Sequence, residues 1–241
     1  MKWIVLLLTS LSLYAGEKLF DGTTLKGWQV QEGEQKYWKV RDGVIVAGSM
    51  TEKVAHNTFM TTAKRYGDFE LRLKAKVEGP RANAGIQIRS ERIENHHEMI
   101  GYQADIGKNI WGRLYDESRR RKFLADWASK DGLKATKEGW NDYKIRCEGP
   151  RIRLWINGTL TCDYTEKDEK IPLKGFIALQ AHSGPPLRLL IRISRLRSFK
   201  LPLQIPLSIF SGLGQRSGCR PLGRRAKWRC SFSKPSMTGM S

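Results

Sequence analysis

The chain has 241 residues and a net charge of +19 at pH 7, with four cysteines. That length suits one domain with appendages, large enough to bury a core without staples. The charge invites a polyanionic partner, but no nucleic-acid-binding motif accompanies it, and no apolar run reaches the ~20 residues a membrane-spanning helix needs.

The chain begins MKWIVLLLTSLSLYAGEK, with Lys2 ahead of the apolar stretch Trp3–Leu13 and small residues at Ala15 and Gly16. This predicts a signal peptide over 1–15 and a secreted or periplasmic protein. EKLFDGTTLKGWQV and YWKVRDGVIVAG follow, each with an Asp-Gly turn signal beside a β-type run. FELRLKAKV alternates, with Leu71, Leu73, Ala75 and Val77 on one face. GIQIR, YQADI and WGRLYD continue the series, and DYKIRCEG and RIRLWING are joined by Gly149-Pro150. Asn157-Gly158 predicts a tight hairpin between RLWI and TLTCDY. GFIALQAH and LLIRISRL complete the set. Only 118–130 reads as either a helix or an irregular loop. Many short alternating strands with frequent turns predict an all-β, two-sheet antiparallel jelly-roll sandwich over 17–199.

Cys147 and Cys162 fall at inward strand positions and read as small core residues; with Cys219 and Cys230 they match no zinc spacing. Every acidic residue lies before residue 170. The segment 200–241 is aperiodic, rich in Gly, Ser and Pro, and carries only positive charge, so it is expected to be disordered and outside the fold. Its loss of acids also makes the Arg-rich strand at 189–197 the least secure of the series.

Four strands share one peculiarity. Gln87/Arg89, Gln103/Asp105, Arg113/Tyr115 and Gln180/His182 occupy the polar phase, while Ile86, Ile88, Ala104, Ile106, Leu114, Ile177 and Leu179 occupy the apolar one. If these strands share a sheet, amide, guanidinium, carboxylate, phenol and imidazole converge on one concave face. Such a set suits a sugar, with Trp111, Tyr115 or Trp127 as aromatic platforms. Asp105 is a general base if burial raises its pKa, and an ion-pair partner of Arg89 if it does not. His182 suits acid, base, metal or structural roles. The loop 91–98 (Glu91, Glu94, His96, His97, Glu98) allows a metal reading, although its spacing is not H-E-x-x-H. The run 118–122 reads as a solvated loop.

Taken in order, LFDGTTLKGW, YWKVRDGVIVAG, Y-G-D-F-E-L, N-A-G-I-Q-I-R, G-Y-Q-A-D-I, W-N-D-Y-K-I with I-N-G, and G-F-I-A-L-Q-A-H resemble the 3-keto-disaccharide hydrolase family. The resemblance covers about 17–199. It implies a concanavalin-like jelly roll, export from bacterial cells, and action on glycosides oxidised at C3. The family usually reads N-S-G at Asn83-Ala84-Gly85 and often G-Y-E-x-Q at Gly101–Asp105, so the carboxylate here sits two residues along the same strand face, about 6.6 Å away. The implied chemistry removes the acidic C2 hydrogen and expels the C1 aglycone. It assigns Asp105 or His182 as base, Arg89 or a divalent cation to the enolate, and Tyr115 as proton donor. Gln87, Gln103, Gln180, Trp111 and Arg113 would bind an oligosaccharide or glycoside substrate. A lectin-like module without chemistry is the rival reading, and oligomeric state is left open.

Overall fold

Period-two alternation of apolar and polar residues makes a segment amphipathic only as a strand, and two such sheets bury their apolar faces against each other. The computed structural model describes residues 16–199 and a separate two-residue antiparallel pair, Arg220–Pro221 with Trp228–Arg229. The expected leader, Cys219 and Cys230, and the disorder expected of 200–241 lie outside the described residues.

The strands are β1 (Trp28–Val30), β2 (Trp38–Arg41), β3 (Val44–Ser49), β4 (Thr58–Tyr66), β5 (Phe69–Glu78), β6 (Asn83–Arg92), β7 (Met99–Gly107), β8 (Leu114–Glu117), β9 (Asn141–Glu148), β10 (Arg151–Ile156), β11 (Thr159–Thr165), β12 (Gly175–Ala181) and β13 (Leu187–Ser198). They form two antiparallel sheets, a six-stranded one in the order β1-β4-β12-β6-β7-β8 and a seven-stranded one in the order β11-β10-β9-β5-β13-β3-β2. The protein is an all-β, jelly-roll-like sandwich. Ile86, Ile88, Ala104, Ile106, Leu114, Ile177 and Leu179 enter the core from one sheet, and Leu71, Leu73, Ala75, Ile145 and Leu189 from the other. Cys147 and Cys162 are buried free thiols. The Arg-rich β13 pairs with β5 from Arg188 to Ser198, broken only by a bulge between Ile193 and Arg195, and buries Leu189, Ile191 and Leu196.

The turn chemistry behaves as its residues require. Asn157 (φ 48°) and Gly158 (φ 87°) link β10 to β11, with Ile156 opposite Thr159. No helix forms over 118–130. Ser118 (φ 56°) and Arg121 (φ 51°) turn the chain back so that Phe123 bridges Tyr115. The run 118–122 is also more than a solvated loop. Arg119 and Arg120 both bond the fully buried Asp116 carboxylate, and Arg120 Nη2 donates to Glu166 Oε2 at 2.6 Å. A buried carboxylate needs such donors, and propensity along 118–130 gives no hint of that demand.

Candidate functional site

The six-stranded sheet sets β12, β6, β7 and β8 side by side, so their polar phases meet in rows. Gln180, Gly85 and Asp105 are register partners in one row. Ala178, Gln87, Gln103 and Tyr115 make the next. His182 follows β12, and its backbone N–H donates to Asn83 O at 3.2 Å. These placements create a pocket of about 210 Å³ whose walls include Asn83, Gln103, Asp105, Tyr115, Glu117 and His182. Gly85 makes the floor possible. A Cβ there would lie 2.6 Å from Gln103 Cδ, so only glycine lets the Gln103 side chain cross the row.

A directed chain of hydrogen bonds runs under this pocket. Ser90 Oγ donates to Gln87 Oε1 (2.8 Å), Gln87 Nε2 to Gln103 Oε1 (2.8 Å), and Gln103 Nε2 to Asp105 Oδ1 (2.8 Å). Ser90, Gln87, Gln103 and Asp105 are all buried, so each member depends on the next for satisfaction. The chain fixes the orientation of both glutamine amides and of the Asp105 carboxyl.

Electrostatics then separate the titratable groups. Burial pushes the Asp105 carboxyl up to about 8; the Gln103 bond opposes this, the Glu117 charge adds to it, and Arg113 opposes it. Asp105 is therefore mostly a neutral acid at pH 7. Glu117 is also raised, by burial first and then by the Glu98 charge. Burial, then Glu117 and Asp105, raises Tyr115. His182 Nδ1 lies 2.7 Å from Ser183 O. That contact assigns the proton to Nδ1 and leaves the Nε2 lone pair free. Gln180 is wholly buried and approaches Glu117 without closing a hydrogen bond, so both its amide atoms lack a protein partner.

The structure thus brings Asp105, His182, Tyr115 and Gln103 together, with Gln87 and Gln180 beneath and beside them. It removes two expected members. Arg89 lies in a β-bulge between Ile88 and Glu91 with φ 50°, so its side chain leaves the polar phase. Its donors are taken by Gly67 O (2.9 Å), Gly149 O (2.6 Å) and Asp68 Oδ1 (2.9 Å). It neither pairs with Asp105 nor faces the pocket, and Ser90 stands beside Gln87 instead. Trp111 packs inward, 6.2 Å from the Tyr143 ring, and so serves the core rather than a sugar. Arg113 lies over the Phe123 ring at 3.6 Å with Trp127 at 5.7 Å, which places it at the rim.

Four wall residues, Asn83, Ile110, Glu117 and Phe123, were missed by the sequence reading. Glu117 shares the strand phase of Tyr115, and extending WGRLYD by one residue would have found it. Phe123 arrives through the irregular turn after β8 and has no periodic signal. The loop after β6 does not gather a ligand set. Glu91 pairs with Arg65, and His96 stacks on His97 at 4.3 Å between ring centroids. Among the described residues, no group of three or more His, Cys, Asp or Glu is arranged to hold a metal ion.

The chain belongs to the family of 3-keto-alpha-glucoside-1,2-lyase-like domains, whose model matches residues 16–193. It is 28% identical over 163 residues to the endo-1,3-1,4-beta-glycanase ExoK of Rhizobium meliloti, covering 64% of this chain and 58% of that relative's length. Its fold is similar to that of a Parabacteroides distasonis protein solved as a candidate glycosyl hydrolase (17% identity, TM-score 0.58, 77% of this chain and 94% of that one). It is also similar to the carbohydrate-binding module CBM66 of Bacillus subtilis (12% identity, TM-score 0.54, 71% and 96%). Among the described residues no helix is long and apolar enough to cross a membrane.

Proposed function

We propose that this chain is an exported enzyme that cleaves 3-keto-glycosides by removing the C2 proton and expelling the C1 aglycone. The observation that carries the reading is the pairing, in one pocket, of a carboxyl kept neutral near pH 7 with an imidazole whose Nε2 is free. The C3 ketone acidifies the C2 hydrogen. His182 Nε2 takes that proton, and the C2–H electron pair moves to the C3 oxygen. Protonated Asp105 donates a hydrogen bond to the enolate oxygen, the role that the family resemblance had assigned to Arg89. A buried, neutral carboxylic acid is an effective oxyanion donor in this way. The enolate collapses, the C1–O bond breaks, and the leaving oxygen takes a proton from Tyr115, whose raised pKa keeps it protonated. Water adding across the resulting enone converts elimination into net hydrolysis. Gln103 in the wall and Arg113 at the rim hold sugar hydroxyls.

The test is the pH dependence of kcat/KM on a 3-keto-glucoside. With Asp105 as donor, activity falls as pH rises through about 8. Asp105→Asn keeps an N–H donor, so it retains part of the rate and loses that alkaline fall. His182→Ala lowers the rate by about 10²–10⁴. A rate that climbs through pH 8 and vanishes in Asp105→Asn would make Asp105 the base instead. The amide-rich wall also suits a carbohydrate-binding module without chemistry; binding of the keto-glucoside with no turnover would decide for it.

A further inference from the structure

The outer face of the seven-stranded sheet, on the side of the molecule away from the Asp105 pocket, carries an unbalanced row of charge. Register places Arg195 opposite Arg72, Arg72 opposite Lys144, and Lys144 opposite Trp155, across β13, β5, β9 and β10. No carboxylate stands in that row. Like charges directly opposite each other across strands are destabilising. Each flanking row is also rich in cations but contains a carboxylate, Asp142 beside Lys74 at 2.7 Å in one and Glu70 opposite Arg146 in the other. Arg72 shares Glu70 with Arg146. Lys144 has no ion-pair partner among the described residues; its Nζ lies 3.6 Å from the centroid of the Trp155 ring. Burial lowers its pKa and the guanidinium groups of Arg72, Arg146 and Arg153 lower it further, against the opposing Glu70 charge. A depression of about 230 Å³ opens at this point, walled by Arg72, Lys144, Trp155, Asp142 and Ser194.

We propose that this depression binds an acidic polysaccharide, a polyuronate by chemical class, with Arg72 and Lys144 taking one carboxylate and Arg195 the next. The fit is one of charge and repeat. A polyuronate presents one carboxylate per ring along a stiff ribbon, and a sugar ring is about as long as the ~4.8 Å between neighbouring strands. The site supplies cations at that interval across three strands. A single-stranded nucleic acid fits less well, since its bases bind by stacking on free aromatic faces. Here the Trp155 ring is already covered by Lys144, and Arg192 sits 4.7 Å from the centroid of Trp140. A membrane surface fits less well because the large exposed apolar side chains among the described residues, Met50, Leu133 and Leu173, lie on none of these four strands.

The full chain should bind polygalacturonate, with affinity falling steeply between low salt and 0.15 M salt as exposed charges are screened, and should not bind dextran. Arg72→Ser/Lys144→Ser should weaken polygalacturonate binding about tenfold, or about 1.4 kcal/mol, while Lys74→Ser, whose charge is already matched by Asp142, changes it little. If the double variant melts early, Lys144→Gln alone carries the test, with about a threefold loss expected. Failure of the wild type to bind would overturn the proposal. So would an affinity untouched in both variants, which would put the attraction in other cations such as those of 200–241. Equally tight, variant-sensitive binding of single-stranded DNA or of phosphatidylserine vesicles would also overturn it, because the face would then recognise charge rather than a uronate.

Discussion

Asp105 lies under two opposed demands, burial beneath a hydrogen-bonded amide and exposure of one edge to the pocket. Its raised pKa is a statement about stability as well as chemistry. Below about pH 4 the carboxyl is protonated in both the folded and the unfolded chain. As pH rises from there toward 8, the unfolded chain gives up this proton and the folded one keeps it. Folding stability therefore falls across that window and levels off above it. Asp105→Asn keeps the Gln103 contact and removes the titration. The variant and the wild type should melt alike near pH 4, and the variant should become the more stable by a few kcal/mol, roughly 5–10 °C in Tm, by pH 8. Thermal melts of both proteins at pH 4, 6 and 8 check this. Parallel curves at all three values would mean that Asp105 ionises normally and is no oxyanion donor.

At the level of the strand, β6 shows why one expected site residue was misplaced. Strict alternation from Ile86 through Arg89 puts Arg89 beside Gln87, but the bulge shifts the phase after Ile88. The bulge has a packing partner. A Cβ on Gly175 would come within 2.5 Å of the Arg89 carbonyl carbon, so β12 passes this point only as glycine. Arg89 then ties β6 to the turns that carry Asp68 and Gly149, with its guanidinium wholly buried. Arg89→Ala leaves the Asp68 carboxylate with the Gly149 N–H but no counter-charge, and leaves the Gly67 and Gly149 carbonyls without this donor. It should cost about 3–5 kcal/mol of stability, read from urea unfolding, with turnover per folded molecule preserved. A variant that unfolds like the wild type but loses turnover would return Arg89 to the site. The strands and their inward faces were legible in the sequence because period-two patterning is local, and Gln103, Asp105 and Tyr115 were legible with them. The bulge at Arg89, the inward turn of Trp111 and the arrival of Phe123 were not, because each depends on contacts between segments far apart in the chain.

For the whole molecule, the question is which part of 241 residues makes the fold. Both sheets close within residues 16–199. The seven-stranded sheet has β11 and β2 as its outer members, and β13, the last strand, pairs with β3 and β5 inside it. After β13, Phe199 N–H still donates to Asp68 O at 2.9 Å, and Arg146 lies 4.8 Å from the Phe199 ring centroid. Contacts divide the chain at the next residue, between Met1–Lys200 and Leu201–Ser241. Seven Lys and Arg and no acid lie beyond that boundary, so a chain ending at Lys200 loses charge but no strand of either sheet. Its melting temperature should stay within about 2 °C of the full chain, a shift equivalent to under 1 kcal/mol for a domain of this size. Removing Phe199 as well, by ending at Arg197, should lower it measurably, because the Asp68 carbonyl and the Arg146 guanidinium then lose their last contacts with β13's end. A drop of many degrees on ending at Lys200 would show that 201–241 packs on the sandwich and belongs to the fold.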